Sequence, residues 1–288
     1  MNAQLGFIKQ YENGYSTHLD KELSEQEYNL LLNAIDELHN YENLKRLYEI
    51  VILNNNQFIM FIDSEKKFLY ENSLSIIGDK NTYYLHHLNL NRMLLNYLSS
   101  FRTLIDHTET IIKRKYKKNS IECNQFSNLT NSLFDKYFAY RFFYKLRNYA
   151  QHCGIPIDEF EVSGTVIENN RIVPEYRIDF SSIDLLNKFK EWGAIVTKDL
   201  QTKKAFSIFP LLDEMKTALN EFWFSILEIF ENKILNAIEF IELNVGHLNN
   251  NHATVCIFSD IVTDDFGNLK YFTSNNIPFD IITELTEK

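Results

Sequence analysis

Phe142-Phe143-Tyr144-Lys145-Leu146-Arg147-Asn148-Tyr149-Ala150-Gln151-His152-Cys153-Gly154-Ile155-Pro156 is the stretch whose reading decides the fold. An aromatic-rich run at helical spacing ends in a glycine and a proline, which force a helix to stop. Working upstream, Leu133, Ala139, Phe142, Phe143, Leu146, Tyr149 and Ala150 form one buried side. The spacing predicts a helix from about Asn128 to His152. A second long helix is expected from Tyr83 to about Lys113, where Leu90, Leu94, Tyr97, Phe101, Leu104 and Ile111 recur at three- and four-residue steps. Two such helices pack as antiparallel neighbours.

Further out the pattern is mixed. Ser24 offers an N-cap before the acidic turn Glu25-Gln26-Glu27, and a helix is expected over 24–40. Tyr48–Leu53 and Phe58–Ile62 are short β-rich runs around Asn54-Asn55-Asn56-Gln57, which reads as a hairpin. A second hairpin is expected where Phe160–Ile167 and Ile172–Ile178 flank Glu168-Asn169-Asn170-Arg171, with Pro174 placing its strand at an edge. Ser182 is expected to cap a helix through about Trp192, and Leu211 to about Leu243 reads as another long helix. The end of the chain reads as a hairpin, Thr254–Ile261 with Leu269–Thr273 around Asp265-Phe266-Gly267-Asn268.

Composition bounds the reading. With 288 residues, 45% hydrophobic and 14% aromatic, the chain can bury one large core or two modest ones. Only 8 Gly and 4 Pro disfavour sandwiches and barrels and favour long helices. The expected class is mainly α (α+β), in three parts: 1–80 a helix with a β-hairpin, 81–250 a helical bundle with a β-hairpin inserted near 160–180, and 251–288 a β-hairpin and tail. A net charge of -10 argues against nonspecific coating of nucleic acid, so any RNA contact must be local. Three isolated cysteines and no basic-then-apolar leader point to a cytoplasmic protein, and no apolar run is long enough for a membrane span. No Gly-rich phosphate loop, nucleophile elbow or HExxH is present, and His86-His87 lacks metal-pair spacing; no cofactor or metal is expected.

On an ideal helix Arg141, Lys145, Asn148 and His152 share one basic, polar stripe. Arg147 lies five residues before His152, rotated from it by roughly 140°, so the two converge only if the helix frays or a second subunit contributes. Histidine titrates near neutrality and can take a ribose 2'-hydroxyl proton, while arginine offers a planar, permanent charge to phosphate. Such a pair suits metal-free RNA cleavage.

Arg147 and His152, with four residues between them and Asn148 directly after the arginine, resemble the R-x4–6-H motif of the HEPN superfamily of helical-bundle ribonucleases. The surrounding 142–156 resembles HEPN proteins of bacterial abortive-infection and toxin type, and Asn96–His107 is similar to their first bundle helix. The resemblance covers about residues 85 to 245. It implies a HEPN-like antiparallel bundle and a dimeric, metal-independent endoribonuclease acting on tRNA or mRNA in phage defence or a toxin–antitoxin system. Arg147 and His152 are then catalytic with Asn148, and an antitoxin or defence-system protein is the implied partner. One departure is that many antitoxin-paired members carry a tyrosine two residues after the histidine, where this chain has Gly154.

Other readings stay open. Arg147 is alternatively a surface arginine, and His152 a last-turn residue meeting the negative end of the helix dipole. Arg102 and Asp106, four apart, are a helix-surface pair or supporting site members. Lys113-Arg114-Lys115 is either a solvated helix end or, with Arg141 and Lys145, a grip on RNA phosphates. The alternative function is a catalytically silent helical module that binds a partner protein or nucleic acid.

Overall fold

The structure, a computed structural model, describes residues 2–71, 79–167, 171–249, 253–265 and 269–287, with side chains at all of these except 69, 70, 164–167, 171–174 and 269. The protein is mainly helical with a small antiparallel sheet. It divides into two compact units, one of residues 1–43 with 230–288 and one of residues 44–229. The division differs from the three segments read along the sequence, because the first unit draws on both ends of the chain.

In that first unit, β1 (Ala3–Tyr11) and β2 (Gly14–Leu23) form a hairpin that the sequence reading did not anticipate. Its signal was Asn13-Gly14, a turn dipeptide between β-compatible runs. The remaining strands are β7 (Ala253–Thr263) and β8 (Leu269–Asn276), in sheet order β2-β1-β7-β8. The expected C-terminal hairpin is therefore present, although its turn at 266–268 lies outside the described residues. Val255 to Ser259 are all buried, so this part of β7 is the middle of the unit's core. At Leu5/Gly6 the register slips against β2, and Gly6 packs so closely that an added Cβ would stand 2.1 Å from the His18 carbonyl oxygen. Only glycine fits this bulge. Helix α1 (Glu25–Glu71) begins here with a capping box, in which Ser24 Oγ accepts from the Glu27 amide at 3.2 Å while Glu27 Oε2 accepts from the Ser24 amide at 2.9 Å. Lys21 adds an ion pair at 2.6 Å, and the Glu27 carboxyl is pulled down to about 2, first by Lys21 and then by Ser24.

The expected hairpin over 48–62 is instead helix, since α1 continues to Glu71. Leu44, Val51, Asn55, Phe58 and Ile62 are buried at steps of seven, four, three and four, a helical seam that outweighs the β-branched Ile50-Val51-Ile52 and the asparagine cluster. Tyr48 stacks on Trp223 at 4.9 Å and donates to Asn220 Oδ1 at 2.8 Å.

In the larger unit α2 (Lys80–Lys115) matches the expected helix, capped by Asp79. The expected single helix over 128–152 is two, α3 (Ile121–Lys136) and α4 (Phe138–His152), meeting at an extended Tyr137. No proline or glycine causes this corner; long-range carboxylates do. Glu214 accepts from the Phe138 and Ala139 amides, both at 3.0 Å, which caps α4, and Glu221 accepts from Lys136 and the Tyr137 hydroxyl at 2.7 and 2.8 Å. Both carboxylates stand on α7 (Ile208–Val245), the expected third long helix. Tyr97 against Phe143 and Phe101 against Tyr140 fix α2 and α4 as antiparallel neighbours.

The ribbon β3 (Glu161–Ile167) with β4 (Arg171–Arg177) occurs as expected, with residues 168–170 of its turn outside the described residues. Ser181, not Ser182, caps α5 (Ser182–Lys188), which stops before Trp192 and is followed by α6 (Ala194–Gln201). A two-stranded bridge, β5 (Asp179–Ser181) with β6 (Ala205–Ser207), brackets these short helices. They close over the aromatic face of α4, where Phe142 lies 5.1–5.8 Å from the rings of Phe206, Phe180 and Trp192.

Candidate functional site

Helix α4 stays regular to its end, because the Cys153 amide still donates to the Tyr149 carbonyl at 2.8 Å. Arg147 and His152 therefore keep the offset of roughly 140° that a helix imposes on residues five apart. His152 is exposed, and no hydrogen bond or ion pair reaches it among the described residues. Arg147 is half-buried and its Nη1 donates to Gln151 Oε1, one turn on; its Nε is buried and has no hydrogen-bond partner among the described residues. Asn148 is half-buried between them in sequence.

The basic stripe divides. Arg141 is spent inside the protein: Nε donates to Asp199 Oδ2 on α6 at 2.7 Å, and Nη1 to the Phe134 and Asp135 carbonyls, both at 3.1 Å, at the end of α3. Lys145 lies beside Gly193, just ahead of α6. Only Asn148 and His152 are left toward the open end. The neighbouring stripe Tyr144, Arg147 and Gln151 runs beside α2, where Arg102 lies over the Tyr144 ring at 4.1 Å and donates to Asp106 Oδ2 at 2.8 Å. The Arg102–Asp106 pair thus meets α4 one turn before Arg147.

Beyond His152 the chain is clamped to α2. Asn91 is buried, donates to the Ile157 carbonyl and accepts from the Ile157 amide, both at 2.9 Å, while His87 Nε2 donates to the same carbonyl at 2.7 Å. This fixes where the open end of α4 lies along α2. Lys113 is 22 positions further along, about 33 Å at 1.5 Å per residue, so the basic run does not join His152 within one chain. Lys113 donates to Glu109 at 2.6 Å and lines a cavity of about 550 Å³ between α2 and α3; Arg114 is exposed and Lys115 half-buried.

A second polar constellation escaped the sequence reading. His86, buried on α2, places Nδ1 3.0 Å from Glu65 Oε2 on α1 and Nε2 against the Tyr176 hydroxyl on β4. Phe61 stacks on its ring at 5.2 Å and Phe160 tilts against it at 4.6 Å. Burial holds the imidazole below the usual histidine range, against the opposing pull of Glu65, and burial likewise raises the Tyr176 phenol. The partners stand 21 and 90 residues from His86, too far apart for spacing to announce them.

No protein family, curated protein or solved structure matches this chain. Among the described residues no group of three or more His, Cys, Asp or Glu could hold a metal ion, and no helix is long and apolar enough to cross a membrane.

Proposed function

We propose that this protein is a metal-independent endoribonuclease of HEPN type, acting in bacterial phage defence or a toxin–antitoxin system, with tRNA or mRNA as its substrate class. The observation that carries the reading is the end of α4, which presents Arg147, Asn148 and an exposed, unengaged His152 imidazole within its last turn and a half. In the reaction His152 takes the 2'-hydroxyl proton and that oxygen attacks the adjacent phosphorus. The bond to the 5'-oxygen breaks, that oxygen takes a proton from water while His152 returns its own proton to solvent, and the products are a 2',3'-cyclic phosphate and a 5'-hydroxyl. Arg147 balances charge on the phosphoryl oxygens and Asn148 holds the backbone. Because a regular helix turns Arg147 away from His152, the reading includes a homodimer in which two α4 ends meet and each cleavage site draws on both chains.

The engagement of Arg141 by Asp199 and of Arg147 by Gln151 favours a second reading, a catalytically silent module that binds a partner protein or RNA. Purified wild type, Arg147→Ala and His152→Ala, incubated with total RNA in chelator, separate the two. The ribonuclease reading expects cyclic-phosphate-ended fragments from wild type only, slowed growth on expression, and rescue by either substitution. Intact RNA with all three proteins and equal growth would falsify it, and a monomer in light scattering at micromolar concentration sinks the shared site.

A further inference from the structure

The side chain of His86 is only 2% exposed, yet both ring nitrogens are engaged by groups from two other elements. The hydrogen-bond logic is determinate. A carboxylate only accepts, so Nδ1 carries the hydrogen that faces Glu65; in a neutral ring Nε2 then accepts, and the Tyr176 hydroxyl donates to it. Every donor has an acceptor. A second ring proton would sit on Nε2 and turn that contact into donor against donor, unless the phenol rotates its hydrogen elsewhere. Its ring neighbours, Phe160 stacked at 5.5 Å and His86 itself, provide no replacement acceptor, and the other groups acting on the phenol are Tyr83 and Glu65, whose Oε2 already accepts from Nδ1.

We propose that Glu65, His86 and Tyr176 form a proton-operated clasp that fastens the β3–β4 ribbon to α1 and α2 when His86 is neutral and releases it when His86 is protonated. The titratable groups facing the ring are Glu65 from α1, His87 from α2 and Tyr176 from β4. Glu65 favours the charged ring, whereas burial and His87 oppose it, and burial is the largest effect. A histidine in the unfolded chain titrates near 6.5, so the clasp is closed at neutral pH and opens as pH falls below that value. The clasp stands whether or not the protein cleaves RNA.

The test is amide hydrogen exchange of the ribbon, residues 161–167 and 171–177, at about pH 7.5 and about pH 5.5, corrected for intrinsic exchange. Ribbon protection in the wild type should fall on the order of tenfold in acid, the ratio that a buried unsatisfied donor produces. In His86→Gln the amide offers N–H to Glu65 and a carbonyl oxygen to Tyr176 without titrating, so protection should not change with pH. Equal protection of the wild type at both pH values, or the same acid loosening in His86→Gln, overturns the clasp. Ring 15N spectra of the wild type at neutral pH test it without a variant. The neutral Nδ1–H tautomer is expected, and an imidazolium or an Nε2–H tautomer overturns it.

Discussion

Replacing Glu214 with alanine should loosen α4 from its first turn. Its two carboxylate oxygens each accept one amide hydrogen at 3.0 Å, from Phe138 and Ala139, and among the described residues no other side chain caps the start of this helix. A hydrogen bond to a charged group is worth about 1.5–3 kcal/mol net, and a carboxylate at a helix N-terminus adds about 0.3–1 kcal/mol. The two bonds are not additive at full strength, because Glu214 is half-buried and water can partly replace it. We expect a loss of about 2–3 kcal/mol, which for a body of this size lowers the melting temperature by about 4–12 °C. Glu214→Gln, with one acceptor oxygen and no charge, should lose roughly half as much. Urea titration followed by tryptophan emission suits the measurement, since Trp192 stacks on Phe142 and Tyr149 of α4. Amide exchange at Phe138 and Ala139 reports the cap itself. A midpoint within about 0.5 kcal/mol of wild type, or unchanged protection at those two amides, refutes the reasoning.

Gly6→Ala should destabilise the sheet unit by about 1–3 kcal/mol or more, because the new methyl meets the His18 carbonyl at 2.1 Å and the Leu19 Cα at 3.1 Å, neither of which is a flexible chain end; unchanged exchange protection along β1 and β2 would count against this. Glu27, with its carboxyl held down to about 2, contributes stability that is present above its ordinary value of 4.5 and is lost as pH falls from there toward about 2. Glu27→Gln should therefore flatten the acid limb of the stability curve, and an acid limb identical to that of the wild type would refute the capping-box assignment.

The long helices α2 and α7 were readable because their apolar residues recur at helical steps over many turns, and Gly154-Ile155-Pro156 located the end of α4. Local signals misled where they conflicted with a longer period, as at Ile50-Val51-Ile52, whose β-branching suggested a strand in the middle of α1. The corner at Tyr137 was not legible at all, because Glu214 and Glu221 make it from distant positions and neither proline nor glycine stands at the break. Arg147, Asn148 and His152 could be singled out since they share one helix end, whereas Glu65, His86 and Tyr176 become neighbours only once α1, α2 and β4 have packed.

The pairing of β1 with β7 carries a kinetic implication. Tyr11 leaves the ribosome long before Ala253 is made, and at about 5–20 residues per second the first hairpin waits roughly 12–50 s for its partner strand. The unit of residues 44–229 is complete by then, so it can mature on the ribosome while the sheet remains an open template. Until β7 emerges, the first hairpin presents an unpaired β1 edge, an aggregation-prone feature that chaperones would have to shield.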